Sequence, residues 1–103
     1  MGLFDFGDRE AVKTASIRLS AILSQTLVEL QRENSNISLK SMAYATDSKI
    51  KEFKALANKL SYDSLCSLKV YNNENKMPFW DFVKRINEVA AIVKDKTGID
   101  ISY

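Results

Sequence analysis

Few side chains in this sequence are of the types that carry out catalysis or bind metals. There is no histidine, and Cys66 is the single cysteine. Without histidine, a serine or cysteine nucleophile lacks its usual imidazole base, and zinc sites with histidine ligands are excluded. One thiol cannot form a four-thiolate zinc site, a CxxC redox pair or an internal disulfide. We therefore predict that the protein is not an enzyme and takes no cofactor or metal.

The remaining candidates for chemistry have simpler structural roles. Asp5, Asp8 and Glu10 lie close together near the start of the first helical segment. Negative charge is stabilising at a helix N-terminus, and this role is favoured over catalysis or Mg²⁺ binding. Cys66 has no basic residue nearer than Lys69, so a buried, unreactive thiol is predicted there rather than an activated nucleophile.

Composition predicts one soluble domain. The 103 residues are 46% hydrophobic and 27% charged, which suits a globular chain with one core. One proline and three glycines leave few breaks, so long helices are favoured over many short strands. No secretory signal is evident, and no window approaches the ~18 apolar residues of a membrane span. Together with the lone cysteine, these features predict a cytoplasmic protein with no membrane partner.

The first two long segments repeat apolar residues at three- and four-residue steps, as in amphipathic helices. We predict an apolar N-terminal arm over 1–7 and a helix over 8–33 with Asp8 as its N-cap. A second helix is predicted over 38–61, with a break and new cap near Thr46 as the alternative. The predicted core positions are Val12, Ala15, Leu19, Ile22, Leu23, Thr26 and Leu30 in the first helix, and Leu39, Ala43, Thr46, Ile50, Phe53, Ala57 and Leu60 in the second.

The second half of the chain is less regular. Residues 63–71 fit either a short helix or a strand, and 72–75 read as a loop. A third long helix is predicted over 77–97, with Pro78 in its first turn and Gly98 at its C-terminal end. Its predicted core face comprises Phe79, Phe82, Val83, Ile86, Ala90 and Val93, with Val89 at the edge.

These elements define the predicted fold class. We predict an all-α compact helical bundle of three long helices and a short fourth, forming a single domain over 1–103. The tail, 98–103, alternates apolar residues. This alternation allows a minor two-stranded ribbon, in which residues 99–103 pair with residues 66–71.

The first helix carries a second stripe on its other side: Ile17, Ala21, Ser24 and Val28, at steps of four, three and four. A surface helix ordinarily presents charged residues there. Two interpretations remain open. Either another element of the monomer covers this face, or it is a seam with a second chain.

Three aromatic residues pose a similar choice. Trp80 falls about 100° from Phe79 on a helical wheel, at or beyond the edge of the core face. It is predicted either to be covered by the N-terminal arm or the 72–76 loop, or to be an exposed anchor for a partner. Phe4 and Phe6 are predicted to fold back onto the bundle, with contact to another chain or exposure as alternatives.

Nucleic-acid binding is the alternative function. Residues 34–76 hold seven basic and four acidic side chains, although the net charge of the chain is only +2. The richest stretch contains Lys49, Lys51, Lys54 and Lys59, which spread around the polar half of a helix and do not form a stripe. A solvated face is therefore favoured.

The predicted function is a non-enzymatic protein–protein interaction module, such as an adaptor, a regulatory subunit or an inhibitor or immunity-type protein. Its predicted partner is a protein, which includes a second copy of the chain itself.

Overall fold

A computed structural model describes the backbone of residues 3–32 and 36–103, and the side chains of residues 6–32 and 39–103. The described part is predominantly helical, with four helices and one two-stranded antiparallel sheet. The elements in chain order are α1 (Leu3–Leu30), α2 (Asn36–Ala57), α3 (Tyr62–Cys66), β1 (Lys69–Asn72), β2 (Asn75–Pro78) and α4 (Phe79–Thr97).

The first helix begins earlier than predicted. α1 starts at Leu3, so residues 3–7 are not an arm and Asp8 is not an N-cap. A single glycine such as Gly7 costs a helix only about 1 kcal/mol relative to alanine, so it need not stop one. α1 ends at Leu30 rather than at residue 33, which lies outside the described residues.

The second helix is continuous from Asn36 to Ala57, with no break at Thr46. Its predicted core face is buried in full, through Leu60 just beyond the helix. Thr46 is fully buried there, and its Oγ1 donates to the Met42 carbonyl at 2.7 Å. That Oγ1 also lies 2.9 Å from Oγ1 of Thr26, which joins α1 to α2.

The segment after α2 contains both a short helix and a strand. α3 is capped by Ser61, whose side chain accepts from the Ser64 amide. β1 then pairs with β2 in an antiparallel hairpin, in register from Lys69 opposite Pro78 to Asn72 opposite Asn75. The predicted loop is thus a tight turn, in which Asn73 takes a φ of 58°, a left-handed conformation that asparagine tolerates well.

α4 begins at Phe79, directly after Pro78, and Gly98 caps its C-terminus with a φ of 77° as predicted. All seven predicted apolar positions of α4 are buried. The predicted ribbon of 66–71 and 99–103 is wrong, because β1 takes β2 as its partner and the tail is not a strand.

The tail instead packs as irregular chain against α2 and α4. Ile101 is fully buried, and the Tyr103 ring lies 6.2 Å from both Phe53 and Phe79. The Tyr103 amide donates to Oδ1 of Asn87 at 2.7 Å. These contacts close one end of the aromatic core.

Candidate protein-interaction surface

α1 is covered on one side by the β-hairpin, through a row of serines. Oγ of Ser16 accepts the Tyr71 amide at 2.9 Å, and Oγ of Ser20 accepts the Asn73 amide at 3.0 Å. Ser24 is the next serine in the row. Its Oγ accepts from Nδ2 of Asn73 at 3.2 Å and donates to Oδ1 of the same side chain at 3.4 Å. Serines at steps of four therefore follow the course of β1 along the helix. The apolar pattern did not identify Ser16 and Ser20, because serine counts there as a surface residue, and Ser24 was predicted only as a member of the second stripe.

Arg9 extends the same attachment toward the N-terminus of α1. Its Nη1 donates to the carbonyl and hydroxyl oxygens of Ser64 at 2.9 and 2.8 Å. It also donates to the Ser67 hydroxyl at 3.2 Å. Ser64 lies within α3 and Ser67 caps its C-terminus, where a cation interacts favourably with the helix carbonyls.

The predicted second face of α1 lies next to this hairpin and is largely open. Ile17 is 48% exposed and Val28 is 53% exposed, and Ala21 between them is also exposed. Ser24 alone is half-buried, under Asn73. The interpretation in which another part of the monomer covers this face therefore holds for Ser24 and is wrong for its three apolar members.

Phe6 extends the exposed face by about three further turns. It is 69% exposed, so the prediction that it folds back onto the helices is wrong. The reason is that residues 3–7 continue α1 and cannot turn back across it. The side chain of Phe4 lies outside the described residues. We define the open face as Phe6, Ile17, Ala21 and Val28.

A shallow groove adjoins the C-terminal part of the open face. It has a volume of about 340 Å³ and lies between α1 and α2, lined by Gln25, Val28, Glu29 and Met42. Met42 is half-buried, and its flexible thioether can adapt to different apolar neighbours. Sequence reasoning missed Met42, because it lies off the core face of α2 and nothing in its spacing connects it with Val28.

A second exposed aromatic group lies at the start of α4. Trp80 is 39% exposed and packs edge-on against buried Phe79, with ring centroids 4.9 Å apart. Its other neighbour is Tyr62 of α3 at 5.8 Å. The predicted cover by the N-terminal arm falls on side chains outside the described residues, and the ring that the described residues place beside Trp80 belongs to α3 rather than to the 72–76 loop. Tyr62 is itself 70% exposed and was not predicted as a site residue.

The thiol near Tyr62 differs from the prediction. Cys66 is exposed, not buried, because it lies one turn after Tyr62 on the outer side of a five-residue helix. A hydrogen bond between the Tyr62 hydroxyl and Cys66 raises the pKa of the tyrosine above its ordinary value.

Three of the four lysines of the nucleic-acid alternative have partners within the chain. Lys49 pairs with Glu52 at 3.5 Å and Lys51 with Asp47 at 2.9 Å. The Lys54 ammonium donates to the main-chain oxygen of Tyr103 at 2.8 Å and lies 5.2 Å from the centre of that ring. Lys59 is exposed.

Comparisons with known proteins supply no further information about this surface. No family model matches the chain, and no curated protein or solved structure matches it either. Among residues 3–32 and 36–103, no group of three or more potential ligands is placed to hold a metal ion. In the same part of the chain, no helix combines the length and apolar character needed to cross a membrane.

Proposed function

We propose that this protein is a compact helical bundle that acts as a non-enzymatic interaction module, and that it binds a protein partner through the open face of α1. The observation that carries the proposal is the alignment of Phe6, Ile17, Ala21 and Val28 on one side of a 28-residue helix, with each of them exposed. Isolated exposed apolar residues are common on protein surfaces. Several of them aligned on one side of a helix are typical of a surface that is covered by a partner.

The geometry beside the row supports this function. The hairpin forms a raised border on one side, held by Ser20 and Ser24, and the groove at Met42 forms a recess on the other. Nearby charges are paired locally: Glu10 with Lys13 at 3.0 Å, and Glu29 with Arg32 at 3.1 Å. Apolar side chains interspersed with locally paired charges are compatible with a protein interface.

The alternative of nucleic-acid binding is disfavoured by the lysine contacts. Lys49 and Lys51 each lie beside a carboxylate, and Lys54 is tied to the tail. Carboxylates beside the lysines would repel phosphates and weaken the counterion release that drives such binding. Retention on heparin at low salt that falls steeply as salt is added would support the alternative.

Photo-crosslinking tests the proposed interface directly. A photoreactive amino acid replaces Ile17 or Val28 in cells that make the protein, and adducts are identified by mass. We expect a defined adduct from each position. The adduct from a label at Ile17 should be lost in Val28→Glu, and the adduct from a label at Val28 should be lost in Ile17→Glu.

Ile92 provides the matched control. It is an apolar residue of α4 with 42% exposure, close to that of Ile17, and it lies off the open face. The label at Ile92 should give no adduct of the same mass. Equal adducts from Ile92 and Ile17, or none from Ile17 and Val28, would contradict the proposed interface.

A further inference from the structure

The tail is held on the rest of the protein by side chains. Within the described part of the chain, residues 99–103 make no hydrogen bond between main-chain atoms. The Tyr103 amide donates instead to Oδ1 of Asn87 at 2.7 Å, and Nζ of Lys54 donates to the Tyr103 main-chain oxygen at 2.8 Å. Gly98, which ends α4 in a left-handed conformation, lies directly before this segment. The tail can therefore leave its position without breaking a main-chain hydrogen bond of α2 or α4.

α2 and α4 contact the tail as a groove contacts a peptide. Ile101 is fully buried, and the Tyr103 ring lies 6.2 Å from two buried phenylalanine rings. Asp100 and Ser102, which alternate with them, are exposed. The hydrogen bonds from α2 and α4 reach main-chain atoms of Tyr103, so they do not depend on its side chain. Main-chain hydrogen bonds combined with pockets for alternate side chains are a recurring mode of peptide recognition.

The tail does not fill this groove. An open gap of about 200 Å³ remains between the tail and α4, lined by Asn87, Ala90, Ala91 and Lys94 of the helix and by Asp100 and Ser102 of the tail. Packed protein interiors leave few spaces larger than a water molecule. The tail is therefore an incomplete match for the groove in which it lies.

We propose that the groove between α2 and α4 is a peptide-binding site, which the tail occupies and which a segment of a partner protein takes over by displacing the tail. The tail defines the chemistry of that segment: an isoleucine two residues before a tyrosine, with a larger apolar residue in place of Ser102. Because the tail is tethered, it competes at an effective concentration on the order of millimolar. The groove does not involve the open face of α1, so this proposal is independent of the proposed function.

Thiol labelling of the full chain tests whether the tail detaches while the helices stay folded. In a Cys66→Ser background, cysteine replaces either Ile101 or Val93 of α4, which are 0% and 1% exposed. We expect a maleimide to label Ile101→Cys at least about tenfold faster than Val93→Cys, because local opening reaches only the tail. Equal rates would show that the tail leaves only when the protein unfolds, which overturns the proposal.

Binding of an added peptide tests the groove itself. The probe is a fluorescein-labelled peptide with the sequence of residues 96–103, and its anisotropy is followed with the full chain. Ile101→Asp protein, whose own tail no longer fits, should bind the probe at least about tenfold more tightly than the wild type. Circular dichroism checks its helix content, and Tyr103→Ala takes its place if that content falls. Absence of binding to a folded variant at millimolar concentration overturns the proposal.

Asn87 distinguishes the groove from nonspecific binding. In the Ile101→Asp protein, the further change Asn87→Ala removes the acceptor of the Tyr103 amide and should weaken binding of the probe by about fivefold or more. Asn58→Ala, at an exposed position just beyond α2, is the matched control and should leave binding unchanged. Equal binding by these two variants would place the peptide outside the groove and overturn the proposal.

The gap predicts a preference among peptides. A probe with Ser102→Leu should bind about fivefold more tightly, because the longer side chain buries apolar surface beside Ala90 and Ala91. A probe with Ile101→Asp should not bind. An excess of the Ser102→Leu peptide should also speed the maleimide labelling of Ile101→Cys protein, since it holds the tail away. Weaker binding of the Ser102→Leu peptide would contradict the preference for a larger residue at this position.

Discussion

The amide of Tyr71 in β1 donates to the hydroxyl oxygen of Ser16 in α1 across 55 residues of sequence, at 2.9 Å. Ser16 is fully buried and gives its own hydroxyl hydrogen to the carbonyl of Lys13 at 2.6 Å. β1 has β2 on one edge, and the serine satisfies one amide on its other edge. For this amide, a helix hydroxyl takes the place of the carbonyl that a third strand would offer.

Removing this acceptor should destabilise the protein. Ser16→Ala leaves the Tyr71 amide without a partner next to the core, and we expect a loss of about 1–3 kcal/mol in the free energy of unfolding. Chemical denaturation measures the loss, and hydrogen exchange should show faster exchange at the Tyr71 amide. Ser48→Ala, at an exposed position of α2, is the matched control and should change stability by less than about 0.5 kcal/mol. Equal stability of the two variants would contradict a structural role for Ser16.

The buried pair Thr26 and Thr46 predicts a coupled effect. Each hydroxyl lies 2.7 Å from a carbonyl of its own helix, and the two Oγ1 atoms are 2.9 Å apart. Two hydrogens therefore serve three short contacts. Thr26→Val and Thr46→Val should each cost about 1 kcal/mol, and the double variant less than their sum, because each single change leaves the other hydroxyl without its cross-helix partner.

A double-mutant cycle by urea denaturation measures this coupling, which we expect to be about 0.5–1 kcal/mol. Thr14→Val, at an exposed position of α1, controls for the general effect of valine on helix propensity. Strictly additive costs for the buried pair would show that the two hydroxyls do not interact.

The faces of α2 and α4 could be predicted because they depend on local spacing alone. A helix buries one side, and the three- and four-residue steps from Leu39 to Leu60 and from Phe79 to Val93 show which side that is. The tail could not be predicted in this way. Tyr103 packs on Phe53, 50 positions earlier, and no local pattern records that contact.

The position of the candidate site could be predicted from the sequence, but whether its residues are buried or exposed could not. Spacing placed Ile17, Ala21 and Val28 together on α1, but their exposure depends on which elements approach that side. The hairpin takes the adjacent side because Ser16 and Ser20 accept its amides. A pattern that sorts residues into apolar and polar cannot show that a serine is needed as an acceptor.

Trp80 should report on its contact with Tyr62. It is the single tryptophan, so its fluorescence can be assigned without ambiguity. With 39% exposure it should be quenched by acrylamide to an intermediate degree. Tyr62→Ala removes the ring at 5.8 Å and should increase the quenching. Tyr44→Ala, at an exposed tyrosine of α2, should not. Full protection of Trp80 in the native protein would contradict its position at the surface.

The tail predicts a loss of stability at alkaline pH. Burial raises the pKa of the Tyr103 phenol above its ordinary value of about 10. Because the folded state then holds this proton more tightly than the unfolded state, the contribution to stability is complete below about pH 10. It is lost as the pH rises through the higher pKa of the folded protein. Denaturation should therefore show that the free energy of unfolding declines between pH 8 and 11, and that the decline is smaller in Tyr103→Phe.

Tyr62 must be separated from this effect, since hydrogen bonding to Cys66 raises its pKa in the same direction. Tyr62→Phe provides the comparison, and titration of tyrosinate absorbance at 295 nm follows each phenol directly. The ring of Tyr103 packs against Phe53 and Phe79. Ionisation of the Tyr103 phenol would therefore place a charge beside the aromatic core. Removing the Tyr103 hydroxyl should make the free energy of unfolding depend less on pH. An unchanged pH dependence in Tyr103→Phe would show that the phenol is no less solvated in the folded protein than in the unfolded chain.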